Sequence, residues 1–392
     1  MNSLAIFTGS DIRAYGGGEK YIIDLVKRLK YFDITVYSSV NKNIIRVNDT
    51  KIKKMLKAEL MYYNVLTIPI SKERLPLTLS GLSVLKQLYK YNTIYIIDPS
   101  APTIFMILLY MKFKKLKTKI IFGVHDPGFL RIVPQENTFI KMLLLKLYSP
   151  IYKAILFKVP NIHVLNNSDQ KMLKKYGYKG SIYKIPNFLY YKKSDIKIRD
   201  NKSRFIVLFG GRLAIYHKGI DLLREIINKA LDRNKNIEFR IFGSGEDGQE
   251  LVENLAKRYP ENVKYLGFIS NKNVEKEYEN SSLYIMTSRI EAFGLVILEA
   301  QAHGLPVIAF DIRGPQDIIG NISGSTIKPF DTGAFVDEIL RYYNLWKEGK
   351  LNDKYKERIK NYIFNRYSDN VIISKLEKMF EYGWKERCIF DS

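Results

Sequence analysis

Short apolar, β-branched segments alternate with longer helix-like patterns along almost the whole chain. This alternation is typical of β-α-β units, in which helices cover a parallel sheet. The chain has 392 residues, of which 46% are hydrophobic. That length exceeds one ordinary α/β core and suits two domains of roughly 200 residues each. We therefore predict an α/β fold with two Rossmann-like domains built on parallel sheets.

The strands predicted from this pattern form two groups. Those of the first half are Leu4–Gly9, Asp33–Ser39, Val65–Ile70, Thr93–Asp98, Lys119–Val124, Asn161–Leu165 and Ser181–Ile185. Those of the second half are Phe205–Gly210, Ile237–Phe242, Val263–Leu266, Leu283–Thr287 and Pro306–Phe310. We expect residues 1–190 to form the first domain, 191–203 a linker and 204–368 the second domain. The tail, 369–392, has helical apolar spacing from Asp369 to Trp384 and is expected to return towards the first domain.

The chain contains a single cysteine, Cys388. It excludes an internal disulfide and a cysteine-based metal cluster, which indicates a reducing compartment. The N-terminus runs directly into a predicted strand, so we expect no secretory signal. The longest apolar stretch, Ala101 to Met111, ends at Lys112 and is shorter than the roughly 20 residues that a membrane helix needs. These features predict a cytoplasmic protein.

The net charge of +23 is spread unevenly. Residues 1–190 contain 30 Lys and Arg against 11 Asp and Glu, a net of +19, and the remainder carries only +4. Such a field suits an anionic partner, namely a nucleic acid, acidic lipid headgroups or a phosphorylated substrate. A solubilising surface would give the same composition. No interleaved aromatic and basic motif of a known nucleic-acid-binding module is present, so we expect no nucleic-acid partner.

The segment with the most chemical information runs from Ser288 to Phe310. Its pattern predicts a strand end, a loop, a helix that begins near Gly294 and ends at Gly304, and a new strand. A helix N-terminus at the carboxyl edge of a parallel sheet presents free N–H groups and a positive dipole end to an anion. Glu291 lies just before this helix and Glu299 about one turn inside it. Because carboxylates accept hydrogen bonds from sugar hydroxyls, the order predicts a sugar–diphosphate–ribose ligand.

The spacing Glu-x7-Glu, with Ala-Phe-Gly-Leu between the glutamates and Gly-Leu-Pro-Val-Ile-Ala after them, resembles one enzyme family. It is similar to the retaining glycosyltransferases of the GT-B fold in glycosyltransferase family four (glycosyl transferases group 1). The resemblance implies two Rossmann-like domains that face each other across a cleft. It also implies that Glu291 contacts the hydroxyls of the donor sugar and Glu299 the ribose. The amides of Phe293, Gly294 and Leu295 would contact the sugar and phosphate.

Other strand ends of the second half add to this set. Arg212 and Lys218 follow a predicted strand and resemble the family's Arg and Lys pair. Two fixed cations would neutralise a departing diphosphate, the task that a metal ion performs in other transferases. Gly243 belongs to a glycine-rich strand exit, which lies beside the nucleotide in similar enzymes. Phe268 resembles the stretch that lines the nucleobase pocket, and a core position is the alternative.

Two motifs of the first half also resemble the family. The glycines from Gly16 to Gly18 follow the first strand and precede a helix predicted at Lys20–Leu29, so that the amides of Gly16 and Gly17 would approach an anion closely. The run lacks the spacing of a dinucleotide fingerprint and resembles the family's Gly-Gly-x-Glu loop, which closes over the donor diphosphate. His125 resembles the histidine that faces the donor sugar, and a structural strand-end histidine is the alternative.

The resemblance implies a retaining, metal-independent transfer of a hexose-type sugar from a nucleotide diphosphate donor, with Glu291, Arg212, Lys218 and His125 as catalytic residues. No cofactor is expected beyond this co-substrate. The acceptor is expected to be a glycan or a lipid-linked molecule. The basic, apolar stretch Phe139–Lys158 would rest on an anionic membrane at its inner face or form a core helix. The alternative functions are a nucleotide-sugar epimerase or a phosphorylase on the same fold, or a basic nucleic-acid-binding protein.

Overall fold

The chain folds into two units, each of which contains its own sheet. The computed structural model describes residues 2–14, 17–40, 47–56, 58–70, 73–80, 85–98, 101–115, 117–125, 150–198, 203–245 and 247–381, and only the backbone of residues 17, 64–70, 73–80 and 101–103. The first unit comprises Met1–Pro186 and Ile372–Ser392, and the second comprises Asn187–Val371. The boundary thus falls four residues before the one expected at Tyr190.

The first unit contains an eight-stranded sheet. Its strands are β1 (Asn2–Thr8), β2 (Phe32–Ser39), β3 (Glu59–Ile70), β4 (Glu73–Ser80), β5 (Thr93–Ile97), β6 (Lys119–Gly123), β7 (Asn161–Val164) and β8 (Ser181–Lys184). They lie in the order β4-β3-β2-β1-β5-β6-β7-β8. The helices described in this unit before the C-terminus include α1 (Gly17–Arg28), α2 (Asp49–Leu56), α3 (Ala101–Lys114) and α4 (Asn167–Lys175).

Most of this sheet agrees with the strands predicted from the sequence, but one edge does not. Strand β3 begins at Glu59, six residues before the predicted start, and β4 was not predicted at all. Strand β4 pairs antiparallel with β3, whereas the other described pairs of this sheet are parallel. Its interior contains Pro76, which cannot donate a ladder hydrogen bond and therefore favours an edge position. Charged residues also flank the short apolar alternation of β4, so its pattern did not predict a strand.

The C-terminal helix α11 (Asp369–Glu381) belongs to the first unit from Ile372 onwards. Its Phe380 ring packs edge-on against Tyr95 and Phe32. The Thr93 hydroxyl donates to the carbonyl of Phe380 over 3.0 Å, and the Lys119 ammonium donates to the carbonyl of Met379. Burial of this ammonium lowers the Lys119 pKa to about 8. The predicted end of this helix at Trp384 lies outside the described residues.

The second unit contains a six-stranded parallel sheet. Its strands are β9 (Phe205–Gly210), β10 (Ile237–Phe242), β11 (Val263–Tyr265), β12 (Leu283–Met286), β13 (Val307–Phe310) and β14 (Gly324–Ile327), in the order β11-β10-β9-β12-β13-β14. Its helices of eight residues or more, numbered ahead of α11 in chain order, are α5 (Ile220–Arg233), α6 (Gln249–Arg258), α7 (Asn271–Asn280), α8 (Leu295–Ala302), α9 (Thr332–Lys347) and α10 (Asp353–Tyr367).

The core of the second unit lies between its sheet and helices such as α5. Every strand predicted in this half is present within one residue of its expected bounds at each end, and β9 and β10 match at both ends. Their residues are almost entirely buried, as expected for central parallel strands that are covered on both faces. Strand β14 was not predicted, because it is a short and partly polar edge strand that begins at Gly324.

The described helices differ in length and in apolar character. Among them, none combines the length and the apolar character that a membrane crossing requires. The helix predicted at Lys20–Leu29 is α1, which begins three residues earlier at Gly17.

Candidate functional site

The predicted site residues of the second unit gather at the carboxyl ends of β9 and β12. These strands are neighbours in space, although β10 and β11 separate them in the chain. The connections leave the sheet in opposite directions at this point, which opens a crevice outside the strand ends where α/β proteins bind ligands. Arg212 follows β9, and Glu291 follows β12. The sheet topology thus brings together two motifs that are about 80 residues apart in the sequence.

A single-turn helix, Ile215–Lys218, is tied to the end of β12. The buried Thr287 hydroxyl donates to the carbonyl oxygens of Lys218 and Gly219, over 2.9 and 3.2 Å. A Cβ at Gly219 would lie 2.2 Å from the carbonyl oxygen of Thr287, and the φ of Gly219 is +65°. Only glycine accepts both this conformation and this close approach. Lys218 is therefore placed by the backbone next to β12.

Arg289 braces the same turn from the other side. Its guanidinium donates two hydrogen bonds to the Asp221 carboxylate, over 2.7 and 2.6 Å, and a third to the carbonyl of Ile215. Burial alone would raise the pKa of the Asp221 carboxyl, but Arg289 outweighs it and holds that pKa below its usual value. A bidentate pair of this kind has a defined geometry, so it fixes the turn that carries Lys218.

Lys218 and Glu291 form an ion pair. The Lys218 Nζ donates to Glu291 Oε2 over 2.6 Å, and the two side chains are 24% and 16% exposed. The Arg313 Nε donates to the backbone carbonyl of Glu291 over 3.2 Å. The sequence predicted that the lysine would meet the diphosphate and the glutamate the sugar, and it did not predict their mutual contact. The charge of Lys218 is therefore balanced by a glutamate in the absence of a ligand.

Helix α8 begins directly after this pair. Gly294, its N-cap residue, has a φ of +104°, which places the chain in a conformation that favours glycine. Among the described residues, no acceptor hydrogen-bonds the amide nitrogens of Phe293, Gly294 and Leu295. The Phe293 side chain is only 3% exposed and packs edge-on against Tyr367. The Phe293 ring is thus part of the core, and a contact between its amide and a ligand stays a prediction.

Glu299 lies one turn inside α8. Its Oε2 accepts a hydrogen bond of 3.1 Å from the hydroxyl of Tyr278, which is fully buried. The Tyr278 ring stacks on His303, whose Nδ1 lies 2.8 Å from the backbone carbonyl of Glu299. Because a carbonyl only accepts, His303 Nδ1 carries a proton in this contact. The carboxylate of Glu299 is thus held by a buried tyrosine that the sequence did not single out.

The glycine-rich strand exits pack closely against one another. A Cβ at Gly243, where φ is +130°, would lie 1.8 Å from the carbonyl oxygen of Gly211. The amide of Gly243 donates to the carbonyl of Gly267 over 2.8 Å, and the amide of Gly211 donates to that of Phe242 over 3.1 Å. The N–H of Gly243 is therefore used inside the loop. Gly243 thus allows the segments that follow β9 and β10 to approach each other closely beside Arg212.

Arg212 and Phe268 both present their side chains at the surface of the second unit. The Phe268 ring is 82% exposed, so the core position considered for it is wrong. Its role at a nucleobase stays a prediction. An exposed guanidinium beside Gly211 is free to reach an anion, since no acidic partner of Arg212 is found among the described residues.

The predicted site residues of the first unit are described in part. Gly17 is the first residue of α1, so it belongs to a helix N-terminus rather than to a loop. Gly16 lies outside the described residues, as do residues 126–149, which include most of the stretch predicted at Phe139–Lys158. In the rest of that stretch Tyr152 and Leu156 are buried in the core, whereas Ile151 is exposed.

His125 follows β6 and contacts a buried tyrosine and a second histidine. The Tyr95 hydroxyl lies 2.9 Å from His125 Nε2 and 2.7 Å from Nδ1 of the fully buried His163. The backbone amide of His125 donates to Asp98 Oδ1 over 2.8 Å. Burial lowers the pKa of His125 to about 4 and that of His163 to about 3. Both rings are therefore neutral at pH 7.

Sequence reasoning missed several residues of these clusters, and their signals differ. Thr287 and Arg289 flank a strand end, so their position was a usable signal. Tyr95 and His163 lie inside apolar strands, where nothing distinguishes them from core residues. A metal centre was not expected, and in the described part of the chain no group of three His, Cys, Asp or Glu side chains is arranged to hold a metal ion.

Comparison with known proteins places the second unit in a family. The model of the family "Glycosyl transferases group 1" matches residues 191–362. The chain is 30% identical over 185 residues to an uncharacterised glycosyltransferase of Methanocaldococcus jannaschii, covering 46% of this chain and 45% of that protein. It is 29% identical over 190 residues to the GtfA subunit of a UDP-N-acetylglucosamine–peptide N-acetylglucosaminyltransferase of Streptococcus parasanguinis, covering 43% and 37%. The chain thus spans less than half the length of these curated relatives.

Solved structures extend the comparison to the whole fold. HepE of Anabaena, in a complex with UDP, superposes with a TM-score of 0.72 and 15% identity over 97% of this chain and all of that chain (100%). At this identity the likeness shows the fold, which is the two-domain α/β architecture predicted from the sequence. The family match covers the helix α8 segment and the Lys218 turn. Residues 191–362 of this chain match the model of the glycosyl transferases group 1 family.

Proposed function

We propose that the chain is a retaining, metal-independent glycosyltransferase, which moves a hexose-type sugar from a nucleoside diphosphate to a glycan or lipid-linked acceptor. The observation that carries the proposal is the contact between Lys218 and Glu291 at the N-terminus of α8. It combines a cation and amides without an acceptor among the described residues, which suit a diphosphate, with a carboxylate, which suits sugar hydroxyls. A site for either group alone would need only half of this set.

The relatives support the same class of reaction. The matched protein of Streptococcus parasanguinis is named as an N-acetylglucosaminyltransferase that uses UDP-N-acetylglucosamine. HepE of Anabaena has been crystallised with UDP and with UDP-glucose. A second relative, of Staphylococcus aureus, is named as a poly(ribitol-phosphate) alpha-N-acetylglucosaminyltransferase. These names favour a nucleotide-sugar donor and a glycan acceptor for this chain.

The proposed chemistry is a front-face transfer. The bond between the anomeric carbon and the phosphate oxygen breaks, and the bond to the acceptor oxygen forms on the same face. The acceptor proton passes to an oxygen of the departing phosphate. Arg212, Lys218 and the α8 amides stabilise the negative charge that develops on that phosphate. Glu291 holds the sugar through its hydroxyls.

Thermal unfolding with candidate donors tests this function. A donor that binds only the folded protein at 100 times its Kd stabilises it by about 2.7 kcal/mol. In a unit of this size that amounts to roughly 5–11 °C in melting temperature. We expect such a rise with one class among UDP-, GDP- and ADP-sugars, and none with the corresponding sugar 1-phosphates. A flat response to all three classes at saturating concentration would contradict the proposal.

Helix α3 supports a membrane-borne acceptor. Its residues Phe105, Leu109 and Phe113, four apart and therefore on one face, are 54%, 56% and 79% exposed. Exposed lysines follow at the end of the helix and just beyond it: Lys112, Lys114, Lys115 and Lys117. An apolar stripe beside a cluster of positive charge suits a surface of anionic lipid. We propose that this face of the first unit rests on such a membrane.

Vesicle binding tests the membrane contact. The triple variant Phe105→Ser/Leu109→Ser/Phe113→Ser is expected to lose at least about tenfold in affinity for anionic vesicles at low salt. The reason is that it removes the apolar area that the membrane would bury. The matched control is Tyr31→Ser/Tyr89→Ser, which removes two equally exposed rings from the same unit. Equal binding of the triple variant and the wild type, measured by vesicle sedimentation, would exclude this surface.

A further inference from the structure

We propose that Tyr95 and His163 are positioning residues, which keep the proton of His125 on Nε2 and so leave Nδ1 as a hydrogen-bond acceptor for a hydroxyl group of the sugar substrate. The inference rests on the proposed function only for the identity of the ligand. The order of the protons follows from the hydrogen bonds within the first unit.

A backbone carbonyl determines which nitrogen of His163 carries the proton. His163 Nε2 lies 2.7 Å from the carbonyl oxygen of Ile185. A carbonyl oxygen only accepts, so Nε2 of His163 carries the proton. The ring is fully buried and neutral, since burial lowers its pKa to about 3. Nδ1 of His163 therefore has a lone pair and no proton.

The Tyr95 hydroxyl connects the two histidines. It lies 2.7 Å from His163 Nδ1, and burial raises the pKa of Tyr95 well above its usual value, so the phenol keeps its proton. Because Nδ1 of His163 accepts, its donor is the Tyr95 hydroxyl at 2.7 Å rather than His125 Nε2 at 3.4 Å. The Tyr95 oxygen then accepts from His125 Nε2, 2.9 Å away. The opposite tautomer of His125 would turn one lone pair towards another.

The sheet explains how these side chains meet. Gly123 pairs with Ile97 on one side and with His163 on the other, so it lies between the strands that carry Tyr95 and His163. A Cβ at position 123 would lie 2.7 Å from the Tyr95 oxygen. The tyrosine therefore crosses the sheet over a glycine to reach the histidine. The Phe380 ring of α11 packs against Tyr95 at 5.3 Å.

Ile185, His163, Tyr95 and His125 form a hydrogen-bond relay, and Nδ1 is the ring nitrogen of His125 that lies outside it. Among the described residues, none hydrogen-bonds His125 Nδ1, and the residue as a whole, unlike His163, is partly exposed. A neutral ring with a bare Nδ1 accepts a hydrogen bond from a hydroxyl and cannot donate one at that atom. His125 would thus select a sugar position that bears a hydroxyl over one that bears only an acceptor.

Histidine nitrogen NMR of the full chain tests the order of the protons without any substrate. The chain has four histidines, His125, His163, His217 and His303, so selective ¹⁵N-histidine labelling gives an assignable spectrum. We expect Nε2 protonated and Nδ1 unprotonated in both His125 and His163 at pH 7. A His125 ring that carries its proton on Nδ1, or on both nitrogens, would overturn the proposal.

Two variants of His163 separate positioning from packing. The amide of His163→Gln donates to the Ile185 carbonyl and offers its oxygen to Tyr95, so the His125 signals should stay as in the wild type. His163→Phe fills the space but breaks the relay, so His125 should lose its single tautomer and kcat/KM for the donor should fall roughly tenfold. An unchanged His125 spectrum in folded His163→Phe would refute the role of His163. If His163→Phe does not fold, the wild-type spectrum still decides, and it does so even if no donor is ever turned over.

Discussion

Replacing Lys218 by methionine is expected to lower kcat/KM for the nucleotide-sugar donor by roughly a hundredfold, which corresponds to ~2.7 kcal/mol of transition-state stabilisation. The methionine keeps most of the aliphatic stem and removes the charge. Two effects then add. The departing diphosphate loses a cation, and the Glu291 carboxylate, 2.6 Å from the missing ammonium, stays unbalanced beside a second anion. Steady-state kinetics on the purified full chain measures the change.

The ion pair permits a sharper version of this experiment. If the unbalanced carboxylate accounts for part of the loss, adding Glu291→Gln to Lys218→Met should recover affinity for a nucleoside diphosphate, measured by calorimetry. Sugar transfer should stay low, because Glu291 is also proposed to hold the sugar. Arg212→Ala, whose side chain is exposed and has no acidic partner among the described residues, should lower kcat at least about tenfold without such a recovery.

A control variant lies on helix α5. Lys229 forms an ion pair of 2.7 Å with Glu225, as Lys218 does with Glu291, and it also donates to the Thr332 hydroxyl over 2.9 Å. It lies one turn from the end of α5 and is more exposed than Lys218. Lys229→Met should leave kcat/KM within about twofold of the wild type, since exposed pairs of this kind contribute little. Equal losses in Lys218→Met and Lys229→Met would mean that the effect is general and not located at the site.

The central strands could be predicted because the pattern of their own residues indicates a buried strand. Phe205–Gly210 is a continuous apolar run, and only a strand covered on both faces buries such a run. Ile237–Phe242 alternates apolar residues with Glu238 and Arg240, which is the period of a strand. An edge strand carries a weaker signal, because one side of it meets solvent or a turn. Of the four edge strands in the two described sheets, β8 and β11 were predicted, whereas β4, with its Pro76, and β14, which begins at Gly324, were not.

The site was predictable to the extent that its parts lie at strand ends. The carboxyl edge of a parallel sheet collects the residues that follow each strand, so Arg212, Lys218 and Glu291 could be assigned to one place. Their ion pair could not, because it depends on the turn that Thr287 and Gly219 hold against β12. The sequence therefore predicted the neighbourhood of these charges and not their state before a ligand binds.

Most of the hydrogen-bond relay in the first unit could not be predicted from the sequence. His125 was singled out because it follows a predicted strand and resembles the family's histidine. Tyr95 and His163 were invisible, since an aromatic residue in an apolar strand is normally part of the core. What reveals them is the register that sets Gly123 between their strands, and register between strands distant in the chain does not follow from one sequence.

Replacing Gly243 by alanine is expected to destabilise the second unit more than the same change at Gly211. Both residues have a positive φ, +130° and +142°, so both variants carry a backbone strain of about 1–3 kcal/mol. The difference lies in the surroundings. A Cβ at Gly243 would lie 1.8 Å from the carbonyl oxygen of Gly211, whereas a Cβ at Gly211 would meet nothing within 4 Å.

The clash at position 243 must be relieved by moving backbone, because neither partner is a flexible side chain. That movement separates the strand exits of β9 and β10 and weakens the hydrogen bonds from Gly243 to Gly267 and from Gly211 to Phe242. At about 1 kcal/mol for each hydrogen bond, Gly243→Ala should cost at least ~2 kcal/mol beyond Gly211→Ala, or a further 4–8 °C in melting temperature, as a rough conversion. Donor-induced stabilisation should be lost in Gly243→Ala and retained in Gly211→Ala, because only the former displaces the loop that carries Arg212. Equal melting temperatures for the two variants would mean that strain at φ, and not the close approach of these segments, sets the requirement for glycine.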